Sequence, residues 1–130
     1  MINIVLRENT TKQITLAAEQ AYPHECCGIL IGKTGDTITI SDIREATNQI
    51  PEEKTKRHFE IGPLFLYQVE QEIEGSDLEV VGFYHSHPDC KAIPSEQDQE
   101  YMIPGLVYVI LSVTKDGVAD MKFFGKEAFK

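Results

Sequence analysis

Histidine is scarce in this chain: four occur among 130 residues, and two of them, His85 and His87, stand one residue apart. They close an apolar run of strand length, LEVVGFY. In an extended strand, residues i and i+2 point to the same face, so the pair can offer two imidazoles to one ion without bending the backbone. Two histidines are not a metal site, because a zinc ion with three protein ligands and one open position requires another donor from elsewhere in the chain. Asp98 is the natural candidate: Ser95 follows His87 after seven residues and Asp98 follows Ser95 after two more, and a loop through Pro88 and Pro94 can fold back against the strand end. The same residues also have a purely structural reading. Ser95 and Asp98 suit a helix N-cap and its N3 acid, and a His pair at an exposed strand end is ordinarily solvated.

Glu25 is the second acid with unusual surroundings, set in Pro-His-Glu-Cys-Cys-Gly directly before an apolar strand. A charge beside a core strand needs a partner. Facing a metal-bound water, it can take that proton and later pass it to a leaving amine; facing solvent, it is an ordinary loop acid. Sequence spacing does not place Glu25 near the His pair.

These residues must be positioned by a small set of elements. After the apolar start INIVL, helical spacing over 10–21 predicts a first helix, opened by a Thr10/Gln13 capping box and stopped before Pro23. A buried strand over 28–32, a turn at 34–36 and an alternating strand over 37–43 predict a hairpin. The stretch 44–57 reads as polar and irregular, a candidate flap, followed by a short strand over 58–61. A second helix starts at Gly62-Pro63 and ends before Gly75, with Leu66, Val69 and Ile73 on one face. The apolar strand over 78–84 runs into His85-Ser86-His87-Pro88, a short helix covers 95–102, and two strands follow over 106–113 and 118–124. Hairpins mixed with helices predict an α/β (α+β) domain over 1–130, with a mixed, mainly antiparallel sheet packed between helices.

Composition narrows the function classes. Forty-two per cent of residues are apolar, and no apolar run approaches the ~18 residues of a spanning helix. The N-terminus has no basic region followed by a long apolar stretch, so a soluble, cytoplasmic protein is expected, with no membrane partner. A formal charge of -9 opposes phosphate backbones, so nucleic acid is not expected as a partner. Nine acids and one base, Lys91, lie between Glu70 and Glu100, which suits a cation or a basic partner segment as well as a solvated face. Cys26, Cys27 and Cys90 form an odd count without framework spacing, as in a reducing compartment. They are expected as ordinary buried thiols rather than zinc ligands.

Glu25, His85, His87, Ser95 and Asp98, in this order and spacing, resemble the JAMM (MPN-plus) zinc metallopeptidases. Val81-Gly82-Phe83-Tyr84 is similar to that family's run into its His pair, and Glu25-Cys26-Cys27-Gly28-Ile29-Leu30 to the start of its Glu-containing strand. The resemblance implies that His85, His87 and Asp98 bind one Zn(II) per chain, that Glu25 holds and deprotonates a water, and that Ser95 donates a hydrogen bond to the oxyanion. Ser86, between the two histidines, is expected on the opposite face of the strand, backing the ligands. The implied fold is cytidine-deaminase-like, in agreement with the element order above, and the implied reaction is amide hydrolysis.

Larger relatives cut isopeptide bonds to ubiquitin, with insertions this chain is too short to hold. Compact ones are associated with ubiquitin-like sulfur-carrier proteins, so the expected partner is a ubiquitin-like or sulfur-carrier protein with an extended Gly-Gly tail. Such a tail suits a narrow groove, with a strand edge near the site as one way to bind it and the loop over 89–94 as a wall. The competing readings fare less well. A zinc deaminase needs H-x-E and P-C-x-x-C, whereas His24 adjoins Glu25 and no C-x-x-C exists. A metallo-β-lactamase H-x-H-x-D-H would need histidine where Cys90 stands. A non-catalytic MPN-type scaffold for ubiquitin-like proteins is the alternative from a different class. Oligomeric state stays open: Tyr101, Met102, Ile103, Phe123, Phe124 and Phe129 suit a core, a dimer face or a substrate surface, with core expected for Phe123 or Phe124.

Overall fold

Period-two runs of Ile, Val and Leu become the strands, and the segments with three-to-four spacing become the two longer helices. The computed structural model describes residues 3–47 and 61–125. In chain order these form β1 (Asn3–Leu6), α1 (Glu8–Ala21), β2 (Cys27–Lys33), β3 (Thr37–Ala46), α2 (Pro63–Ile73), β4 (Glu79–Pro88), α3 (Glu96–Tyr101), β5 (Val107–Thr114) and β6 (Gly117–Phe124). The strands make one six-stranded sheet in the order β1-β3-β2-β4-β5-β6. β1 with β3 and β4 with β5 are parallel, and the other three pairs are antiparallel. The fold is thus α+β, with a mixed, mainly antiparallel sheet.

Each face of the sheet is covered by one helix. On one face Ile14, Ala17 and Ala18 of α1 pack with Leu30, Ile40, Tyr84, Val109 and Leu111. On the other, Val69 and Ile73 of α2 pack with Ile29 and Ile31, with Phe83 partly buried against them. Alternation along β2 explains the division, since Leu30 faces one layer while Ile29 and Ile31 face the other. Each fully buried Ile, Leu or Val contributes about 1.5–3 kcal/mol. The Arg44 guanidinium ties α2 to the sheet by bonding both Asp42 and Glu72. At Gly82 the strands approach so closely that a Cβ would stand 1.8 Å from the Val107 carbonyl oxygen, so only glycine fits there.

Several elements differ from the sequence reading. β1 was not anticipated: four residues are too few to show a period, and the strand exists because β3 offers it a parallel partner. α1 begins at Glu8 after an Arg7 N-cap with no side-chain cap bond, so the Thr10/Gln13 box does not form, and Thr10 is buried within the helix. β3 continues to Ala46, taking in the first residues of the stretch expected to be irregular. The flap expected beyond it and most of the strand expected over 58–61 lie outside the described residues, as does Phe129; Ile61 is not in a strand. Cys90 is exposed rather than buried. Phe123 is 37% exposed rather than core, Phe124 is half-buried, and Met102 is buried between exposed Tyr101 and Ile103. β4 lies between β2 and β5, so among the described residues the strand bearing the histidines offers no sheet edge; the edges are β1 and β6. No helix among the described residues is long and apolar enough to cross a membrane.

Candidate functional site

β4 carries the His pair at its C-terminal end, beside the parallel strand β5. Phe83 packs on the α2 side, so by alternation His85 and His87 open toward that side as well. Their Nε2 atoms lie 3.0 Å apart, with ring planes inclined at 55°. Asp98 Oδ2 lies 3.2 Å from each Nε2. Three donor atoms from two elements thus form a nearly equilateral triangle. His87 Nδ1 lies 2.9 Å from the Lys91 carbonyl, which accepts its proton and leaves Nε2 with the lone pair.

The helix that delivers Asp98 is six residues long and buries none of them. So short a helix is marginal on its own. It is nucleated by a capping box in which Ser95 Oγ accepts from the Asp98 N–H at 3.0 Å and Asp98 Oδ2 accepts from the Ser95 N–H at 2.9 Å. The two readings of Asp98 therefore coexist on one oxygen atom, which caps the helix and faces both histidines. Ser95 is exposed, and its hydroxyl proton is not consumed by the cap.

Glu25 arrives from the segment joining α1 to β2. One donor atom each from Glu25, His85 and His87 all lie within 4.8 Å of one another. The segment is held from behind by Ser86, which is fully buried: its Oγ accepts from the Cys26 N–H at 2.8 Å, and its own N–H donates to the Cys26 carbonyl at 3.1 Å. Ser86 thus sits on the opposite face from the histidines and locks the residue next to Glu25. Glu25 itself is 5% exposed, and its Oε2 has no hydrogen-bond partner among the described residues. Burial pushes its carboxyl up to about 8, with His87 opposing and Asp98 reinforcing the rise. Burial also works against ionised Asp98, but the neighbouring His85 and His87 rings and the Ser95 N–H outweigh it and hold that carboxyl well below the usual range. Burial drives His85 down, whereas in His87 the pull of burial is overcome by Asp98 and the Lys91 carbonyl, and its value rises.

This donor set fits a divalent metal. Bonds of 2.0–2.1 Å at tetrahedral angles place ligand atoms roughly 3.3 Å apart, close to the 3.0–3.2 Å seen among His85, His87 and Asp98. Glu25 Oε2, a buried carboxyl oxygen without a hydrogen-bond partner among the described residues, belongs to a residue with a donor atom within 4.8 Å of both histidines. Among the described residues the cysteines do not join the Glu25–His85–His87 cluster: burial pushes the Cys26 and Cys27 thiols up to about 11 and 12, and Cys27 Sγ lies 3.9 Å from the Ala46 carbonyl.

Sequence reasoning overlooked two contributors to this region. Tyr22, the C-cap of α1, donates its hydroxyl to both carboxylate oxygens of Asp89 at 3.0 and 2.9 Å, linking the Glu25 segment to the turn after the histidines. No local pattern announces a bond across 67 residues. Ser112 carried a readable signal, as the one serine or threonine inside the apolar run 107–113.

The chain as a whole is similar to known proteins. The family profile of prokaryotic homologs of the JAB domain matches residues 7–124. A desampylase of Haloferax volcanii is 35% identical over 91 residues, covering 69% of this chain and 63% of that protein. A desampylase of Pyrococcus furiosus is 38% identical over 78 residues, covering 60% of this chain and 51% of that protein. The chain thus spans about half to just under two thirds of these curated relatives. Among solved structures, a protein from Desulfitobacterium hafniense superposes with a TM-score of 0.72 at 26% identity, covering 94% of this chain and 90% of that one. A JAB1/MPN domain protein from Archaeoglobus fulgidus shares the fold, with a TM-score of 0.60 at 20% identity over 95% of this chain and 89% of that one.

Proposed function

From a chain that belongs to the prokaryotic homologs of the JAB domain, we propose a zinc-dependent hydrolase that cleaves an amide bond, peptide or isopeptide, at the C-terminal tail of a ubiquitin-like or sulfur-carrier protein. The observation that carries the reading is the triangle of His85 Nε2, His87 Nε2 and Asp98 Oδ2 with the buried carboxyl of Glu25 beside it. Two imidazoles and one carboxylate leave a fourth position open, the donor pattern of a catalytic zinc. The desampylase relatives support a ubiquitin-like substrate, and the free thiols suit a cytoplasmic setting.

His85, His87 and Asp98 would hold the ion, which when bound supplies Lewis acidity and a water acidic enough to react near neutral pH. Glu25 does the proton work. Beside a dication its carboxyl ionises at lower pH than burial alone allows, so Oε2 accepts a proton from the attacking water and then delivers it to the leaving nitrogen. Its burial keeps bulk water from competing for that proton. Ser95, exposed at the rim, donates its hydroxyl to the developing oxyanion while its oxygen still caps α3. Ser86 fixes the backbone beside Glu25 and so sets where the base stands. A Gly-Gly tail suits the approach because it brings backbone, without side chains, to the ion.

The test uses two substrates: a ubiquitin-like protein joined through a terminal Gly-Gly to a lysine amine, and the same protein extended past Gly-Gly by a linear peptide. Zinc-loaded protein should cleave at least one, and Glu25→Gln should abolish cleavage while retaining metal and partner binding. Binding without cleavage of either substrate by the zinc-loaded wild type would overturn the hydrolase and leave a scaffold.

A further inference from the structure

The turn after the histidine strand is exposed at Asp89, Cys90 and Lys91, yet it is pinned from two directions. Its first residue, Asp89, has φ 55°, a left-handed conformation that aspartate tolerates better than most side chains. The Asp89 N–H donates to the Val113 carbonyl at 2.7 Å, and the Ser112 hydroxyl donates to the Cys90 carbonyl at 2.5 Å, both pins coming from β5. From the other side, the Tyr22 hydroxyl holds the Asp89 carboxylate.

What this turn presents is a single carbonyl. Lys91 O takes the Nδ1 proton of His87 at 2.9 Å. In a neutral imidazole a proton fixed on Nδ1 leaves the lone pair on Nε2, the atom that meets His85 and Asp98. Ser112 lies in register with His87 across the parallel β4–β5 pair and is 9% exposed. Its hydroxyl therefore emerges level with the ligand and spends its proton on the turn.

We propose that Ser112 is a positioning residue for His87: by holding the Cys90 carbonyl it keeps the Lys91 carbonyl on Nδ1, and so commits Nε2 to the metal. The role lies outside the five-position motif and rests on the reading of His87 as a ligand. It distinguishes the hydroxyl from mere packing. Ser112→Thr keeps the donor on a strand that favours β-branched residues, whereas Ser112→Ala removes it. Tyr22→Phe, at a partly exposed hydroxyl, loosens the same turn without touching β5.

Zinc is titrated against a chromophoric chelator into metal-free wild type and the three variants, and the His87 tautomer is followed by imidazole ¹⁵N NMR at a pH where the ring is neutral. The expected result is about tenfold weaker zinc binding in Ser112→Ala and recovery to within about threefold of wild type in Ser112→Thr. Tyr22→Phe should show a smaller loss than Ser112→Ala. His87 should hold its proton on Nδ1 in wild type and become a mixture of tautomers in Ser112→Ala. Equal zinc affinity in Ser112→Ala and wild type with an unchanged tautomer, or a Ser112→Thr as weak as Ser112→Ala, overturns the proposal. Should Ser112→Ala not fold, unchanged affinity and tautomer in Tyr22→Phe overturn it. A wild type that binds no zinc defeats the metal reading instead, and the tautomer comparison then decides the role of Ser112 by itself.

Discussion

Replacing Glu25 by Gln keeps the side chain's shape and removes its acid, which turns the buried carboxyl into a measurable pH dependence of stability. In the metal-free protein, burial raises the Glu25 carboxyl from 4.5 to about 8. Below 4.5 the folded and unfolded chains both hold the proton. Between 4.5 and 8 the unfolded chain has released a proton that the folded protein keeps, so wild-type stability falls as pH rises through this window and levels off above it. At about 1.4 kcal/mol for each pH unit, the full span amounts to ~5 kcal/mol. Glu25 is 5% exposed and its Oε2 is buried, so solvent screening removes little of this. Gln carries no such proton; the other titrating groups are present in both proteins, and the loss of the Glu25 charge beside His87 is the smaller effect. Urea unfolding of chelator-treated wild type and Glu25→Gln at pH 5, 6, 7, 8 and 9 should therefore show nearly equal stability at pH 5, with the variant gaining steadily to several kcal/mol by pH 8. A difference that stays flat across the range would mean that Glu25 titrates as a solvated acid and that its burial does not hold the proton.

Three further substitutions probe the parts around it. Ser86→Ala leaves the Cys26 N–H without its side-chain acceptor and should cost about 1–3 kcal/mol in urea unfolding, with a drop in turnover larger than the drop in zinc content. Ser95→Gly should preserve the helix start to within a few tenths of a kcal/mol, since glycine caps nearly as well; zinc content should hold while kcat falls about a hundredfold through loss of the oxyanion donor. Gly28→Ala drives a Cβ to 2.3 Å from the ring of fully buried Tyr84 and should lower stability by about 1–3 kcal/mol, seen as a lower thermal midpoint.

Much of the fold was legible because its elements are strongly periodic. The buried run around Ile29 to Ile31, the α2 face of Leu66, Val69 and Ile73, and the Gly62-Pro63 start all follow from local rules. β1 did not, because its four residues gain strand structure only from β3. The sharing of a face by His85 and His87 follows from strand parity, and the start of α3 at Ser95 from its cap. The approach of Glu25 does not follow from spacing, because it depends on Ser86 reaching Cys26 across 60 residues. Tyr22 and Asp89 meet across a longer separation still. Exposure was the least legible property. Cys90 and Phe123 are apolar or thiol residues set on a turn and on the edge strand β6, where the sheet ends and no layer covers them fully.

Whether His85, His87 and Asp98 hold a metal is read from the metal content of protein purified without chelator, measured side by side in wild type, His87→Ala and Asp98→Ala. About one zinc per wild-type chain is expected, lost in both variants. A wild type that takes up no zinc even after reconstitution, or variants that retain it, would contradict the central claim that His85, His87 and Asp98 form a metal centre.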